Sequence, residues 1–232
     1  MQFSDLKLSA PLLSVLEEAA YHTPTPIQQQ AIPLILAKKD LLACAQTGTG
    51  KTAAFSLPII EFMLRNGVAA SSDHPLALIV CPTRELAIQI DENIAVYTAK
   101  TKIRHTVVFG GVSQHKQVLD LRKKPHILIA TPGRLLDLID QGIISLKKIQ
   151  YLVLDEADRM LDMGFVHDIK KIIKLLPLHR QNLLFSATIP DSIKGLANSL
   201  LNNPEYVAVT PVSSTVETIA QKIFPVEKAD KV

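Results

Sequence analysis

Cysteine is scarce in this chain, and long apolar runs are absent. The two cysteines, Cys44 and Cys81, each lie at the end of an apolar stretch, which favours reduced core thiols over a disulfide framework. No apolar run approaches the length of a membrane span. The beginning, "MQFSDLKLSAPLL", carries charge where the apolar core of a secretory signal would lie. We therefore expect a soluble, cytoplasmic protein without membrane association.

Low-complexity sequence and a large charge excess are also absent. Nine glycines and 14 prolines in 232 residues are too few for a fibrous or low-complexity chain. The seven histidines show no metal-ligand spacing with the cysteines. The net charge is only +3, so the chain has no overall basic field that would attract a nucleic acid. Any nucleic-acid contact must therefore come from individually placed groups.

Alternating apolar and amphipathic segments are what the chain does contain. Its 232 residues are 47% hydrophobic, which is enough for one sizeable core. Six short, nearly continuous apolar runs are typical of strands buried on both faces: "DLLACA" (40–45), "LALIVC" (76–81), "HTVVF" (105–109), "HILIA" (126–130), "YLVLD" (151–155) and "NLLFSAT" (182–188). Helical segments separate them, namely 51–64, 84–98, 133–142 and 165–176. This alternation predicts an α/β domain with a mostly parallel sheet and helices on both faces.

Four segments lie outside this alternation. Residues 9–20 and 26–36 have helical patterns ahead of the first strand. Residues 65–75 have the composition of an exposed loop, and residues 210–218 that of a linker.

The segment "AQTGTGKT" (45–52) follows the first predicted strand and opens a helix. A glycine-rich turn at a helix N-terminus directs backbone N–H groups toward one point, which suits a phosphate. Lys51 can reach terminal phosphates, and the Thr52 hydroxyl can serve a magnesium ion. Ala45 stands where the usual pattern has Gly, and a plain glycine-rich turn is the alternative. The predicted nucleotide contacts here are Thr47, Gly48, Thr49, Gly50, Lys51 and Thr52.

Three carboxylates follow the buried run "YLVL" within four positions: Asp155, Glu156 and Asp158. A solvated acidic helix start is one explanation, and a cation site at the carboxyl edge of the sheet is the other. A phosphate loop elsewhere in the same chain favours the second, because both motifs would then meet at that edge. Asp155 would hold Mg²⁺, through water, and Glu156 would orient and deprotonate an attacking water.

Taken together, these motifs resemble those of the DEAD-box ATP-dependent RNA helicases. "AQTGTGKT", "DEAD" (155–158) and "SAT" (186–188) match family motifs, as do "PTPIQ" (24–28), "PTRELA" (82–87), "GG" (110–111) and "TPGR" (131–134). The order is that of the family, and the match covers nearly the whole chain. The resemblance implies a RecA-like P-loop NTPase domain that uses ATP, ADP and Mg²⁺. Within the family, the overall sequence resembles that of the bacterial RhlE-type branch.

The resemblance assigns adenine recognition to the start of the chain. Gln28 would read the adenine edge, and Phe3 would stack on the ring. Ala20 precedes Tyr21 where the family usually has Gly, a small departure. The local alternative for Gln28 is a capping box with Thr25, which has Pro as the first helical residue. The two roles are compatible, because a capped helix start is a rigid platform for a base-reading amide.

Three further motifs follow predicted strands and so stand on one rim of the sheet. Each combines a turn former with backbone N–H or Arg groups, which suits phosphates, but each alone is also typical of a helix cap or turn. The resemblance makes the following residues RNA-backbone contacts: Pro82, Thr83, Arg84, Gly110, Gly111, Thr131, Pro132, Gly133 and Arg134. Contacts of this kind imply binding that is independent of base sequence.

The remaining motif, "SAT", places two hydroxyl groups at a strand end. Ser186 and Thr188 could bond Asp158 across neighbouring strand ends, and the resemblance gives this contact the role of coupling nucleotide state to RNA handling. A strand that simply leads into a capped helix is the alternative.

The resemblance also implies a partner domain. The family's second RecA-like domain supplies arginine fingers from an "HRIGR"-like motif, and that string does not occur here. Arg84 and Arg134 are taken as the arginines near the motifs, and both are assigned to RNA. We expect residues 1–210, including the helical region 1–36, to form one ATP-binding domain, with 211–232 a linker toward the second.

The isolated chain is then expected to be a monomer that binds nucleotide and hydrolyses it poorly. Two other classes stay open on the sequence: a nucleotide-gated binding platform without turnover, and a P-loop ATPase that acts on DNA or protein.

Overall fold

A seven-stranded, entirely parallel sheet forms the centre of the molecule. The structure is a computed structural model, and it describes residues 1–67 and 74–209. In chain order the strands are β1 Leu41–Cys44, β2 Ala77–Val80, β3 His105–Val108, β4 Ile127–Ala130, β5 Tyr151–Leu154, β6 Gln181–Ser186 and β7 Glu205–Ala208. Across the sheet their order is β3-β4-β2-β5-β6-β1-β7. Each described pair is parallel, so all strands end at the same edge.

Helices cover both faces of this sheet. They are α1 Ala10–Glu18, α2 Pro26–Leu36, α3 Lys51–Arg65, α4 Arg84–Thr98, α5 His115–Leu121, α6 Pro132–Asp140, α7 Ala157–Asp162, α8 Val166–Leu175 and α9 Asp191–Leu200. A short 3₁₀ turn at Phe3–Leu6 precedes them. Within the described residues, no helix has both the length and the apolar character needed to cross a membrane.

The core consists of two apolar layers, one on each face of the sheet. Successive strand side chains alternate between the layers: Ile79 and Val153 join the layer under α1 to α4, while Leu78 and Leu152 join the layer under α6 to α9. All four are buried, which explains why the strand segments carry almost no polar residues. The six apolar runs are confirmed as strands, each within two residues of its expected limits.

Among the strands and α-helices, two were not anticipated from the sequence. Strand β7 was missed because only Val207 of its four residues is buried, so no apolar run marks it. The short helix α5 was also missed, whereas α7 begins directly after Glu156, as the alternative of an acidic helix start implied. The predicted 211–232 linker lies outside the described residues, and so does most of the predicted 65–75 loop.

Candidate nucleotide-binding site

The predicted nucleotide motifs meet at the carboxyl edge of the sheet. The P-loop follows β1, the acidic motif follows β5 and "SAT" follows β6. Strand β6 lies between β1 and β5 in the sheet, so the acidic motif is one strand farther from the P-loop than direct neighbours would be. The gap is bridged by a hydrogen bond from Thr47 Oγ1 to Glu156 Oε1 at 3.0 Å. The sequence expectation that both motifs share one site is therefore met by direct contact.

The P-loop is held tightly against its own strand. Gly48 and Gly50 adopt left-handed backbone conformations with φ of 84° and 92°, which non-glycine residues rarely adopt. Lys51 is only 6% exposed, and its Nζ donates to the Ala45 carbonyl at 3.0 Å. The side chain predicted to meet phosphates is thus folded back onto the loop.

Gln28 joins the start of α2 to the P-loop. Its Oε1 accepts from the Thr25 backbone N–H at 2.9 Å, and its Nε2 donates to the Gly50 carbonyl at 3.1 Å. A Cβ on Gly50 would lie 2.4 Å from this Nε2, so only glycine allows so close an approach. The capping alternative for Gln28 is therefore observed, and the same amide also faces the nucleotide loop.

The acidic pair occupies a buried and strained position. Asp155 is 2% exposed, and its pKa is raised to about 6. Burial is the main cause, Lys51 opposes the rise, and the neighbouring charge of Glu156 contributes to it. Glu156 adopts φ 51° and ψ 51°, a left-handed conformation that a residue with a Cβ adopts only under local constraint. Its backbone N–H donates to Asp155 Oδ1 at 3.0 Å, which fixes the two carboxylates relative to each other.

One arginine near the acidic pair was not anticipated. Arg159 Nη1 lies 3.4 Å from Glu156 Oε2, one helical turn along α7. The expectation that Arg84 and Arg134 are the arginines near the motifs is therefore wrong. The spacing of Glu156 and Arg159 in the sequence, at i and i+3, would have indicated that these two side chains pair.

These groups enclose a cleft of about 190 Å³. Its lining residues are Tyr21, Gln28, Thr47, Gly48, Gly50, Lys51, Thr52, Ala53, Leu86, Gln89, Asn93, Tyr97, Asp155 and Glu156. Pockets for small ligands usually measure about 300–1,000 Å³, so the cleft must widen to admit a nucleotide. The bonds that narrow it are those from Thr47, Lys51 and Gln28 described above.

The donor set fits a magnesium nucleotide. A buried carboxylate (Asp155), a cationic amine (Lys51) and a hydroxyl-bearing residue (Thr52) line one cleft. Mg²⁺ is typically bound by one or two carboxylates together with water and phosphate oxygens. Among residues 1–67 and 74–209, no group of three or more His, Cys, Asp or Glu residues is arranged to hold a metal.

Helix α4 supplies one wall of the cleft that sequence reasoning missed. Leu86, Gln89, Asn93 and Tyr97 line it, and they recur at helical spacing along one face. The Tyr97 hydroxyl lies 3.3 Å from that of Tyr21. Burial, together with this contact, raises the pKa of Tyr97. That spacing was the available signal, but it is equally typical of a helix packing on a core.

Phe3 does not line the cleft. It is 4% exposed and packs edge-to-face against Tyr21, with ring centroids 6.3 Å apart, while Tyr21 itself lines the cleft. The aromatic rings at the cleft are thus those of Tyr21 and Tyr97. Stacking of Phe3 on adenine stays a prediction.

The "SAT" hydroxyls meet Asp158 as the sequence suggested. Thr188 donates to Asp158 Oδ2 from its Oγ1 at 2.8 Å and from its backbone N–H at 2.9 Å. Ser186 Oγ accepts from the Asp158 backbone N–H at 3.2 Å. Burial alone would raise the pKa of Asp158, but these hydrogen bonds prevail and lower it.

The residues assigned to RNA stand at the ends of β2, β3 and β4, which are adjacent in the sheet. Their local roles are visible: Thr83 Oγ1 accepts from Leu86 N at 3.2 Å and caps α4, and Arg134 Nη2 donates to the Val112 carbonyl at 2.9 Å. Arg84 lies over the Phe109 ring at 5.2 Å and is exposed.

Exposure divides this rim into accessible and inaccessible groups. Arg84 and the glycines at 110, 111 and 133 are exposed, whereas Pro82, Thr131 and Pro132 are buried. An RNA backbone would therefore meet arginine side chains and main-chain groups rather than the buried side chains. The RNA-contact assignments stay predictions.

Known proteins resemble this chain over its whole length. A DEAD-box ATP-dependent RNA helicase CshA of Geobacillus kaustophilus is 42% identical over 229 residues, covering 99% of this chain and 48% of that protein. The protein of the same name in Streptococcus pneumoniae is 44% identical over 231 residues, covering 100% of this chain and 43% of that protein. The chain thus spans about half the length of these curated relatives. The RhlE-type branch stays a prediction.

A solved structure and a family model agree with these relatives. The crystal structure of a DEAD box protein from the hyperthermophile Methanococcus jannaschii superposes with a TM-score of 0.83 at 36% identity, covering 90% of this chain and 56% of that one. The fold is accordingly RecA-like. The model of the DEAD/DEAH box helicase family matches residues 25–196, which contain the P-loop, the acidic motif and "SAT". The chain belongs to the DEAD/DEAH box helicase family.

Proposed function

We propose that this chain is the ATP-binding half of a cytoplasmic, ATP-dependent RNA helicase that remodels RNA duplexes without sequence specificity. One observation carries the proposal: Lys51, Asp155 and Glu156 line the same cleft at the carboxyl edge of the sheet. The names of the CshA relatives, which are ATP-dependent RNA helicases, support the same activity.

The residues of the cleft divide the work on ATP among themselves. Lys51 leaves the Ala45 carbonyl and pairs with the terminal phosphates, while the P-loop N–H groups and Thr52 position them. Asp155 would hold a magnesium ion, which would neutralise phosphate charge. Glu156 orients the attacking water and accepts its proton. Gln28 reads the adenine edge through the amide that now bonds Gly50.

RNA binds along the neighbouring strand ends in this proposal. Exposed Arg84 and the main-chain groups at Gly110, Gly111 and Gly133 contact phosphates, and Arg134 adds a second cation. These contacts carry no base information, so binding is independent of sequence. The Asp158–Thr188 contact couples this rim to the nucleotide cleft, because Asp158 follows β5, which neighbours β2 of the rim, and Thr188 follows β6, which neighbours the P-loop strand β1.

The catalytic site is completed by a second RecA-like domain of the same protein. Residues 211–232, outside the described part, form the linker toward it, and the isolated chain is a monomer. That domain would supply an arginine finger, a cation that stabilises the charge developing on the transferred phosphoryl group.

Comparing polynucleotides tests the proposal. Steady-state ATP hydrolysis is measured on a protein that carries the downstream domain, with single-stranded RNA, with DNA of the same sequence and with neither. We expect stimulation by RNA and little by DNA, since 2′-hydroxyl contacts distinguish the two. Equal stimulation by DNA would favour the general P-loop ATPase, and binding without turnover under all three conditions would favour a nucleotide-gated platform.

A further inference from the structure

A second, larger cavity lies at the opposite edge of the sheet. It measures about 1030 Å³, and residues that precede β1, β5 and β6 form its walls together with the ends of α8 and α9. The strands contain four to six residues, so this edge lies roughly 13–20 Å from the nucleotide cleft at about 3.3 Å per residue. None of the residues assigned to nucleotide or RNA lines it. We call it the amino-edge cavity.

The amino-edge cavity is strongly cationic. Four basic side chains and one histidine line it, namely Lys38, Lys39, Lys174, Arg180 and His179, whereas Asp40 is the only carboxylate among the described residues that line it. Lys39 and Lys174 are exposed and form no ion pair with any residue in the described part of the chain. This concentration of charge is notable in a chain whose net charge is only +3.

The single carboxylate offsets only part of this charge: it acts on Arg180, where it opposes the lowering of the pKa by burial, and its oxygens are committed to the fold. Asp40 is buried and accepts three hydrogen bonds: from Asn182 N at 2.8 Å, from Asn182 Nδ2 at 3.0 Å and from Asn202 N at 2.8 Å. It thereby ties β6 and the turn after α9 to the start of β1. An anion from outside would meet the lysines without competition from this group.

Apolar side chains complete the surface. Leu178 is 93% exposed at the rim, and Ile173, Leu176 and Leu200 also line the cavity. A partner with an apolar side chain beside its charged groups would cover Leu178 while it meets the cations of the cavity. A nucleic-acid backbone has no apolar group to cover it, so the lining favours a protein.

We propose that the amino-edge cavity docks an acidic segment of a partner protein, with carboxylates on Lys39, Lys174 and Arg180 and an apolar side chain on Leu178. Because the cavity lies at the amino edge of the sheet, a partner bound there leaves the nucleotide cleft and the RNA rim at the carboxyl edge uncovered. A partner bound here can therefore remain attached while nucleotide and RNA exchange at the other edge.

Fluorescence anisotropy tests the proposal with a labelled peptide of alternating acidic and leucine residues. We expect residues 1–232 to bind it, more tightly at low salt than at high salt. The double variant K39E/K174E should weaken binding about tenfold, since two attractions become repulsions. Leu178→Ser should weaken it about tenfold as well, through lost apolar burial.

Matched controls separate this site from a general charge effect. The variant K102E/K116E changes charge equally at two exposed lysines that do not line the cavity, and it should bind the peptide as the original chain does. A peptide with Asn and Gln in place of Asp and Glu should not bind. All variants should retain ADP affinity, which verifies folding.

Three results would overturn the proposal. They are absence of peptide binding, equal weakening by the cavity and control variants, and loss of single-stranded oligouridylate binding in K39E/K174E with peptide binding unchanged. The last result would assign the cavity to RNA.

Discussion

Gln28 performs two structural roles with one amide group. Its Oε1 caps α2 through Thr25 N–H, and its Nε2 reaches Gly50 in the P-loop, so base reading and helix stability share a side chain. Gln28→Ala should erase a preference for ADP over GDP of about tenfold to hundredfold, because two hydrogen bonds of about 0.5–1.5 kcal/mol each are lost. It should also lower stability by about 1 kcal/mol through the lost cap.

The variant Gln28→Glu separates the two roles. A carboxylate still accepts from Thr25 N–H but cannot donate to adenine, so the base preference should disappear although the cap is kept. The melting temperature should also fall, because the second carboxylate oxygen faces the Gly50 carbonyl in a buried position. Calorimetric titration with ADP and GDP provides the measurement. A preference for ADP that survives in Gln28→Ala would mean that Gln28 is a cap alone.

Lys51 is the second residue whose role is testable by substitution. Lys51→Ala should reduce nucleotide affinity by at least about tenfold, since a charge-assisted hydrogen bond contributes about 1.5–3 kcal/mol. The fold should persist, because the change removes a buried charge whose present contact is with the Ala45 carbonyl. Binding of a fluorescent ADP analogue measures the loss, and the exposed Lys102→Ala serves as control. Undiminished affinity would contradict the P-loop assignment.

Asp155 makes stability depend on pH in the absence of magnesium. Its pKa is about 6 in the folded protein against an ordinary 3.8, so folding takes up a proton between these values and stability falls as pH rises through that interval. Asp155→Asn should therefore stabilise the chain at pH 8 by about 1–3 kcal/mol, and the gain should vanish near pH 4. Urea unfolding at both pH values measures it.

A control variant, Asp162→Asn, and a second variant, Glu156→Gln, extend the test of the acidic pair. The exposed Asp162→Asn should change stability by less than about 0.5 kcal/mol. Asp155→Asn should also abolish the strengthening of nucleotide binding by magnesium, whereas Glu156→Gln should bind normally and lose hydrolysis in the longer protein. Identical behaviour of the two variants would refute the division into metal holder and water activator.

At the scale of elements, the contact between α7 and the residues after β6 should affect ATP hydrolysis and duplex unwinding without affecting nucleotide binding. Thr188→Val removes the 2.8 Å hydrogen bond to Asp158 and keeps the side-chain shape. ADP affinity should stay unchanged, while RNA-stimulated ATP hydrolysis and duplex unwinding in the longer protein should fall. Thr188→Ser, which retains the hydroxyl, should restore both. An equal loss in both variants would show that packing, rather than the hydrogen bond, is responsible.

Elements differ in how far the sequence predicts them. Strands β1 to β6 were predictable because apolar residues face both layers of the core, as Ile79 does on one face of the sheet and Leu78 on the other. Strand β7 was not, since an edge strand with exposed Tyr206 needs only Val207 in the core. The motifs located the cleft, but its narrowing was not predictable, because the bonds of Gln28 and Lys51 to backbone carbonyls depend on the packed arrangement and leave no local pattern.

For the whole molecule, we expect residues 1–232 alone to hydrolyse ATP slowly and to bind RNA weakly. An arginine finger contributes about 10³–10⁵ in rate, and Arg159 is held at Glu156, on the water-activating side of the cleft. Contacts with two or three phosphates give a salt slope of about −2 on single strands. ATP hydrolysis with and without RNA, on this chain and on the longer protein, provides the test. Equal RNA-stimulated rates would mean that the site is already complete here.

The narrowed nucleotide cleft has a consequence for how affinity is set. Opening it breaks three hydrogen bonds of roughly 0.5–1.5 kcal/mol each, so the molecules ready to accept a nucleotide are a minority of roughly one in ten to one in a thousand. The apparent dissociation constant rises by that same factor. Two proteins with identical nucleotide contacts can therefore differ widely in affinity. A substitution that weakens one of these hydrogen bonds and leaves the ligand contacts intact can tighten nucleotide binding without adding a single contact to the ligand.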